Sequence, residues 1–162
     1  MNGDHMSEED GARLLNHALD PGCTMLDAAT IYGAGNNEQR LNRAVMHRRG
    51  EFTLASKCAL AMRDGERILD ARPEAVMAAV DGSLERLGTD HIDLYYLHRS
   101  NPQVPIEESI GALVQPIEAG KIAAIVLFAH GAVAGSRYPA ALQRTVGTEM
   151  FDDESAELEA TG

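Results

Sequence analysis

SLERLGTDHIDLYYLHRSNPQVPIEESIGALV, residues 83–114, holds in one run the end of a helix, a strand and the start of a second helix. Leu84 and Leu87 continue the helical spacing of Val76, Ala79 and Val80, and Gly88 supplies the C-terminal residue on which helices commonly stop. Pro73 opens that helix at a first-turn position, where its missing N–H is not needed. Residues 92–97 then read as a short apolar strand. Pro105 begins the next helix, Ile110, Leu113, Val114 and Ile117 share one face of it, Gly120 stops it, and residues 122–128 supply another strand. Strand, helix and strand at this spacing make a βαβ unit, whose strands run parallel with a right-handed crossover.

The same alternation extends toward the N-terminus. Ser7 followed by Glu8, Glu9 and Asp10 is a helix cap with a negative first turn, and Leu14, Leu15, Ala18 and Leu19 keep one face apolar through residue 19. Pro21-Gly22 breaks the helix before a buried-type strand over residues 24–29. Asn36 and Asn37 are positioned to cap a helix running to about residue 47, with Leu41, Ala44 and Val45 inward, and residues 52–56 form the following strand. The fold class is therefore α/β, with about four to five βα units and parallel strands. Periodicity alone fits a doubly wound sheet as well as part of a barrel. Beyond Phe128 the pattern weakens, with a poor helix and a fifth strand expected around residues 140–146. The expected organisation is a disordered segment over residues 1–6, one α/β domain over residues 7–147, and a disordered acidic tail over residues 148–162.

Bulk properties exclude several functions. At 162 residues the chain suits one domain but falls short of the ~250 that a full eight-stranded α/β barrel needs. Fourteen basic against 25 acidic residues give a net charge of −11, which argues against a nucleic-acid partner. The longest apolar run, residues 122–129, is far below the ~20 residues of a membrane helix, so no membrane association is expected. The opening MNGDHMSEED resembles neither a secretory signal nor a transit peptide, which predicts a cytoplasmic location. Cys23 and Cys58 show no metal or redox spacing and read as reduced packing thiols, and no metal site is expected.

In an α/β sheet, chemistry sits at the carboxyl ends of the strands. The first strand ends at Asp27 and leads to Tyr32, the second delivers Lys57, and the third delivers His98. Each has an ordinary structural reading as an ion-pairing carboxylate, a loop aromatic, a solvated cation or a satisfied imidazole. Together at successive strand ends they suggest more. A lysine near a tyrosine hydroxyl favours the phenolate, a carboxylate keeps the lysine charged and placed, and a histidine can orient a carbonyl oxygen.

The segments LDAATIYGAGNNEQRLNRAV, LASK, residues 83–114 and EAGKIAAI together resemble the aldo/keto reductases, NAD(P)(H)-dependent (β/α)8 barrels that reduce aldehydes and ketones. The resemblance spans residues 8–125 in unbroken order and selects a partial (β/α)8 TIM-type barrel over the doubly wound sheet. It implies that Tyr32 donates the proton to a small-molecule carbonyl substrate, with Lys57 as its partner. Asp27 pairs with that lysine and lies near the nicotinamide ribose, and His98 orients the carbonyl. NADP, or NAD, is the implied cofactor, and YPAALQRTV places Gln143 where a glutamine of the family holds the nicotinamide.

Several positions depart from the family pattern. Ala28 replaces a threonine, Asn42 a common glycine, and Cys58 a bulky residue, while residues 126–129, VLFA, replace the nicotinamide-contacting Gly-apolar-Ser-Asn/Glu run. Val146 stands in place of the ring-stacking aromatic. Pro116 should kink or break its helix. The family's first, seventh and eighth strands and its pyrophosphate loop have no counterpart in these 162 residues. Two outcomes are therefore expected as alternatives: a reductase impaired by truncation and active only if the missing half comes from another chain, or a non-catalytic module that self-associates through open sheet edges. Arg40, Arg43, His47, Arg48 and Arg49 read as a solvated helix face, with a docking patch as the alternative.

Overall fold

The computed structural model describes residues 7–127. Gln143, Phe128, the expected fifth strand, and the segments 1–6 and 148–162 lie outside the described residues. The elements are α1 (Glu8–Leu19), β1 (Met25–Asp27), α2 (Asn36–Val45), β2 (Thr53–Cys58), β3 (Leu60–Arg63), β4 (Glu66–Leu69), α3 (Pro73–Leu87), β5 (Ile92–Leu97), α4 (Ile106–Gly111), α5 (Val114–Glu118) and β6 (Ile122–Leu127). Two 3₁₀ segments, Tyr32–Gly35 and Met46–Glu51, flank α2.

Four strands form a parallel sheet in the order β1-β2-β5-β6. A doubly wound sheet reverses its strand order at a switch point, whereas this order simply follows the chain, as successive strands of a (β/α)8 barrel do. Strand alternation separates two faces. Leu54, Ser56, Tyr95, Leu97 and Ile125 are buried, whereas Leu94, Tyr96, Ala124 and Val126, on the opposite face, are only partly covered among the described residues.

Helix boundaries follow local chemistry. Ser7 caps α1, its hydroxyl accepting from the Asp10 N–H at 3.0 Å. Gly88, at φ 66°, ends α3, and its N–H donates to the Glu85 and Leu84 carbonyls. A Cβ on Gly88 would fall 2.5 Å from Asn42 Nδ2, which donates to the Arg86 carbonyl at 3.1 Å. Asn42, a departure from the family pattern, thus fills the close crossing of α2 and α3.

Three expectations need correction, and one element was unforeseen. Asn36 and Asn37 do not cap α2, because left-handed Gly35 is its N-cap and no side chain bonds there. Helix α2 ends at Val45, and the chain continues as a 3₁₀ segment instead of reaching residue 47 in α form. The single helix expected after Pro105 is two, α4 and α5. Pro116 has no N–H for the Ala112 carbonyl, and the interruption falls at residues 112–113. The antiparallel hairpin β3–β4 was not anticipated. Its turn is Asp64-Gly65, both left-handed at φ 52° and 83°, a strong hairpin signal that the short, polar strands obscured.

The arginine cluster proves to be neither a bare solvated face nor an open patch. Arg43 grips Glu8 with two bonds of 2.9 Å, Arg48 bridges Asp20 and Glu51, and Arg49 bonds Asp93 at 2.6 Å. Cys58 is a buried packing thiol, as expected, and burial pushes it up to about 12. Cys23 is exposed, and its thiol donates to the Met25 carbonyl at 3.4 Å.

Candidate active site

The strand ladder fixes where the four singled-out residues emerge. Beyond β1 the pairing continues one residue further, with Ala28 N–H donating to the Ala55 carbonyl at 2.8 Å, and beyond β5 the His98 N–H donates to the Cys58 carbonyl at 3.2 Å. Asp27, Lys57 and His98 therefore lie at the same, C-terminal end of the sheet. Lys57 pairs in register with Tyr96, on the face opposite the helices.

Lys57 is 5% exposed, and its ammonium has three kinds of partner. It donates to Asp27 Oδ1 at 2.6 Å and to the Ala28 carbonyl at 3.0 Å. It also lies 4.9 Å from the centroid of the Tyr32 ring and 5.5 Å from that of Tyr96. The ammonium thus meets the tyrosine through its π face, an attraction of roughly 0.5–2 kcal/mol. Tyr32 itself is 41% exposed and meets the His98 ring edge-on, with centroids 6.1 Å apart. Tyr32 opens a 3₁₀ segment in which Gly33, Ala34 and Gly35 all have positive φ. Two glycines make this turn accessible, and Ala34 at φ 55° carries the strain.

The structure thus brings Asp27, Tyr32, Lys57 and His98 together. The family model for aldo/keto reductases matches residues 1–132. The chain belongs to the aldo/keto reductase family. It is 44% identical over 120 residues to a Schizosaccharomyces pombe protein named aldo-keto reductase yakc, whose name includes NADP(+). That match covers 72% of this chain and 35% of the relative, so the chain spans about a third of that relative's length. Among solved structures, a Bacillus halodurans aldo-keto reductase in holo form superposes with a TM-score of 0.72 at 32% identity, covering 77% of this chain and 43% of that one. A glycerol dehydrogenase from Gluconobacter oxydans superposes at 0.68 and 29% identity, covering 78% and 40%. The α/β sheet is therefore part of an aldo/keto reductase (β/α)8 barrel.

In this family setting the electrostatics around His98 are informative. Its imidazole pKa is lowered from the ordinary 6.5, first by burial and then by the positive charges of Lys57 and Arg99, with Asp27 opposing. Folded His98 binds its proton less tightly than the unfolded chain does. Its contribution to stability is therefore present above 6.5 and is lost as pH falls through the lower, folded-state value. An NMR titration of the His98 ring should give a midpoint below that of an exposed histidine. Lys57→Met should raise it and Asp27→Asn lower it further; equal midpoints in all three proteins would contradict this electrostatic account.

A buried polar cluster behind the site escaped the sequence reading, which assigned Glu38 only to support. Glu38 is fully buried and accepts from Ser56 Oγ at 2.5 Å and Arg86 Nε at 2.6 Å. Arg86 Nη2 donates to Thr30 Oγ1 at 3.0 Å, and Ser83 Oγ lies 3.2 Å from Tyr95 Oη. Burial pushes the Tyr95 phenol well above the ordinary tyrosine range, so it stays protonated. No local signal marks Glu38 in the sequence, because its partner Arg86 stands 48 residues away on α3. A cavity of about 540 Å³ lined by Met46, Arg49, Leu84 and Asp90 lies at the opposite end of the strands, away from Lys57. Among the described residues no helix is long and apolar enough to cross a membrane.

Proposed function

We propose that this chain supplies the acid–base machinery of an NADP-dependent reductase acting on a small aldehyde or ketone in the cytoplasm. The observation supporting this reading is the convergence of a buried, carboxylate-held ammonium, an exposed tyrosine and a histidine at one strand end. Tyr32 donates its phenolic proton to the carbonyl oxygen. The Lys57 charge, 4.9 Å from the ring, stabilises the phenolate left behind, and Asp27 keeps that lysine charged and in place. His98, favoured in its neutral form, offers one N–H to orient the carbonyl. Solvent reprotonates Tyr32 through its exposed edge.

Asp27 fits the ribose next to the nicotinamide, whereas residues 126–129 and Val146 do not reproduce the family's contacts to the ring. Asp27 uses Oδ1 on Lys57 yet remains 47% exposed, which leaves carboxylate surface for a ribose hydroxyl. Gln143 is assigned to the nicotinamide amide by the family resemblance. When bound, the reduced nicotinamide supplies hydride to the carbonyl carbon, completing the alcohol. NADP is favoured over NAD by the S. pombe relative's name.

The reading also needs further barrel strands. Among the described residues β1 and β6 are the outer strands of the sheet, and a non-catalytic module that meets a second copy there is the alternative reading. Purified protein mixed with NADPH and a panel of aldehydes and ketones should consume reduced cofactor only when protein and carbonyl are both present. The absence of both consumption and thermal protection at millimolar NADPH would overturn the proposal.

A further inference from the structure

Arg86 occupies a passage that two glycines keep open. A Cβ on Gly35 would approach its Cδ to 2.8 Å, and one on Gly82 would approach Nη1 to 2.9 Å. Gly82 sits inside α3, where glycine is a poor helix former, so helix chemistry does not explain it. Room for the guanidinium does. Through that passage Arg86 reaches two elements at once, Glu38 on α2 through Nε and Thr30 on the β1 loop through Nη2.

Each partner leads to the acid–base pair. Thr30 lies between Asp27 and Tyr32 in the chain, so its hydroxyl fixes the loop that presents the tyrosine. Glu38 accepts from Ser56, the residue before Lys57, whose side chain projects from the helix face of β2 while Lys57 projects from the other. A single guanidinium–carboxylate pair thus grips the Tyr32 loop and the Lys57 strand from behind. We infer that Arg86, held by Glu38, is a positioning residue that sets Tyr32 against Lys57 and His98. The inference rests on the reading of Tyr32 and Lys57 as an acid–base pair, although neither Arg86 nor Glu38 touches the reacting atoms.

The least invasive test removes and restores the hydroxyl that Arg86 grips. Thr30→Ala should remain folded but lose the nuclear Overhauser contact between the Tyr32 and His98 rings. Its kcat for carbonyl reduction should fall roughly 10- to 100-fold, with KM for NADPH unchanged. Thr30→Ser, which keeps the hydroxyl, should restore both. Gly82→Ala, which crowds Nη1 without removing any charge, should repeat the Thr30→Ala loss of the ring contact and of kcat. An intact ring contact in Thr30→Ala, or a Thr30→Ser protein as impaired as Thr30→Ala, overturns the inference. The ring contact is read without cofactor, so a wild-type chain that reduces no carbonyl counts against the functional reading and leaves this test standing.

Discussion

Tyr32→Phe is expected to lower kcat for carbonyl reduction by about 10²- to 10⁴-fold, the range that a positioned proton donor supplies. The substitution removes the phenolic proton and little else. Phe keeps the ring face that Lys57 approaches at 4.9 Å and the edge-to-face contact with His98. With 41% of the residue exposed, no buried polar partner is stranded. Stability and cofactor binding should therefore stay near wild type, so that the loss falls on the chemical step. Steady-state rates combined with a thermal melt separate these effects. A Phe variant that reduces carbonyls at the wild-type rate would show that another group delivers the proton.

Glu38→Ala should destabilise the fold by about 3–5 kcal/mol, the usual cost of removing one partner from a buried ion pair. The carboxylate is fully buried, and its loss leaves the Arg86 Nε and the buried Ser56 hydroxyl without their acceptor. Against a typical domain stability of roughly 5–15 kcal/mol, this is a large fraction. The surface pair Arg43–Glu8 provides the contrast. It is also a two-bond contact, but its side chains are 54% and 62% exposed and screened by solvent, so Glu8→Ala should shift the midpoint far less. Burial decides between the two pairs. Urea titration with an unchanged m value measures both variants, and equal midpoints would contradict the account. Adding Arg86→Met to Glu38→Ala should recover much of the loss, because the stranded charge is then gone.

Much of this was legible from the chain alone because the signals are local. The apolar runs at residues 92–97 and 122–127, Pro73 opening α3, and Gly88 closing it each act within a few residues of themselves. So does Pro116, whose missing donor divides the helix expected after Pro105. The same locality explains why the strand ends could be searched for chemistry: a parallel α/β sheet commits its loops to one edge, and Asp27, Lys57 and His98 stand at the ends of their strands.

Other features were decided only when distant segments met. Strand order, which separates a barrel from a doubly wound sheet, depends on which edge each strand pairs with, and periodicity does not encode that. Asn42 looked like a misplaced glycine until α2 crossed α3 at Gly88. The arginines after α2 looked like a solvated run until α1 and β5 brought Asp20 and Asp93 to them. The loop through Gly33, Ala34 and Gly35 brings the Tyr32 ring under the Lys57 ammonium, a contact that depends on both segments. The sequence determined by itself the parallel α/β pattern and the residue types at the strand ends, because backbone propensity and apolar spacing act locally. Only the tertiary structure decided that Glu38 and Arg86, 48 residues apart, would meet behind the site, because a buried charge finds its partner through packing and not through proximity in the chain.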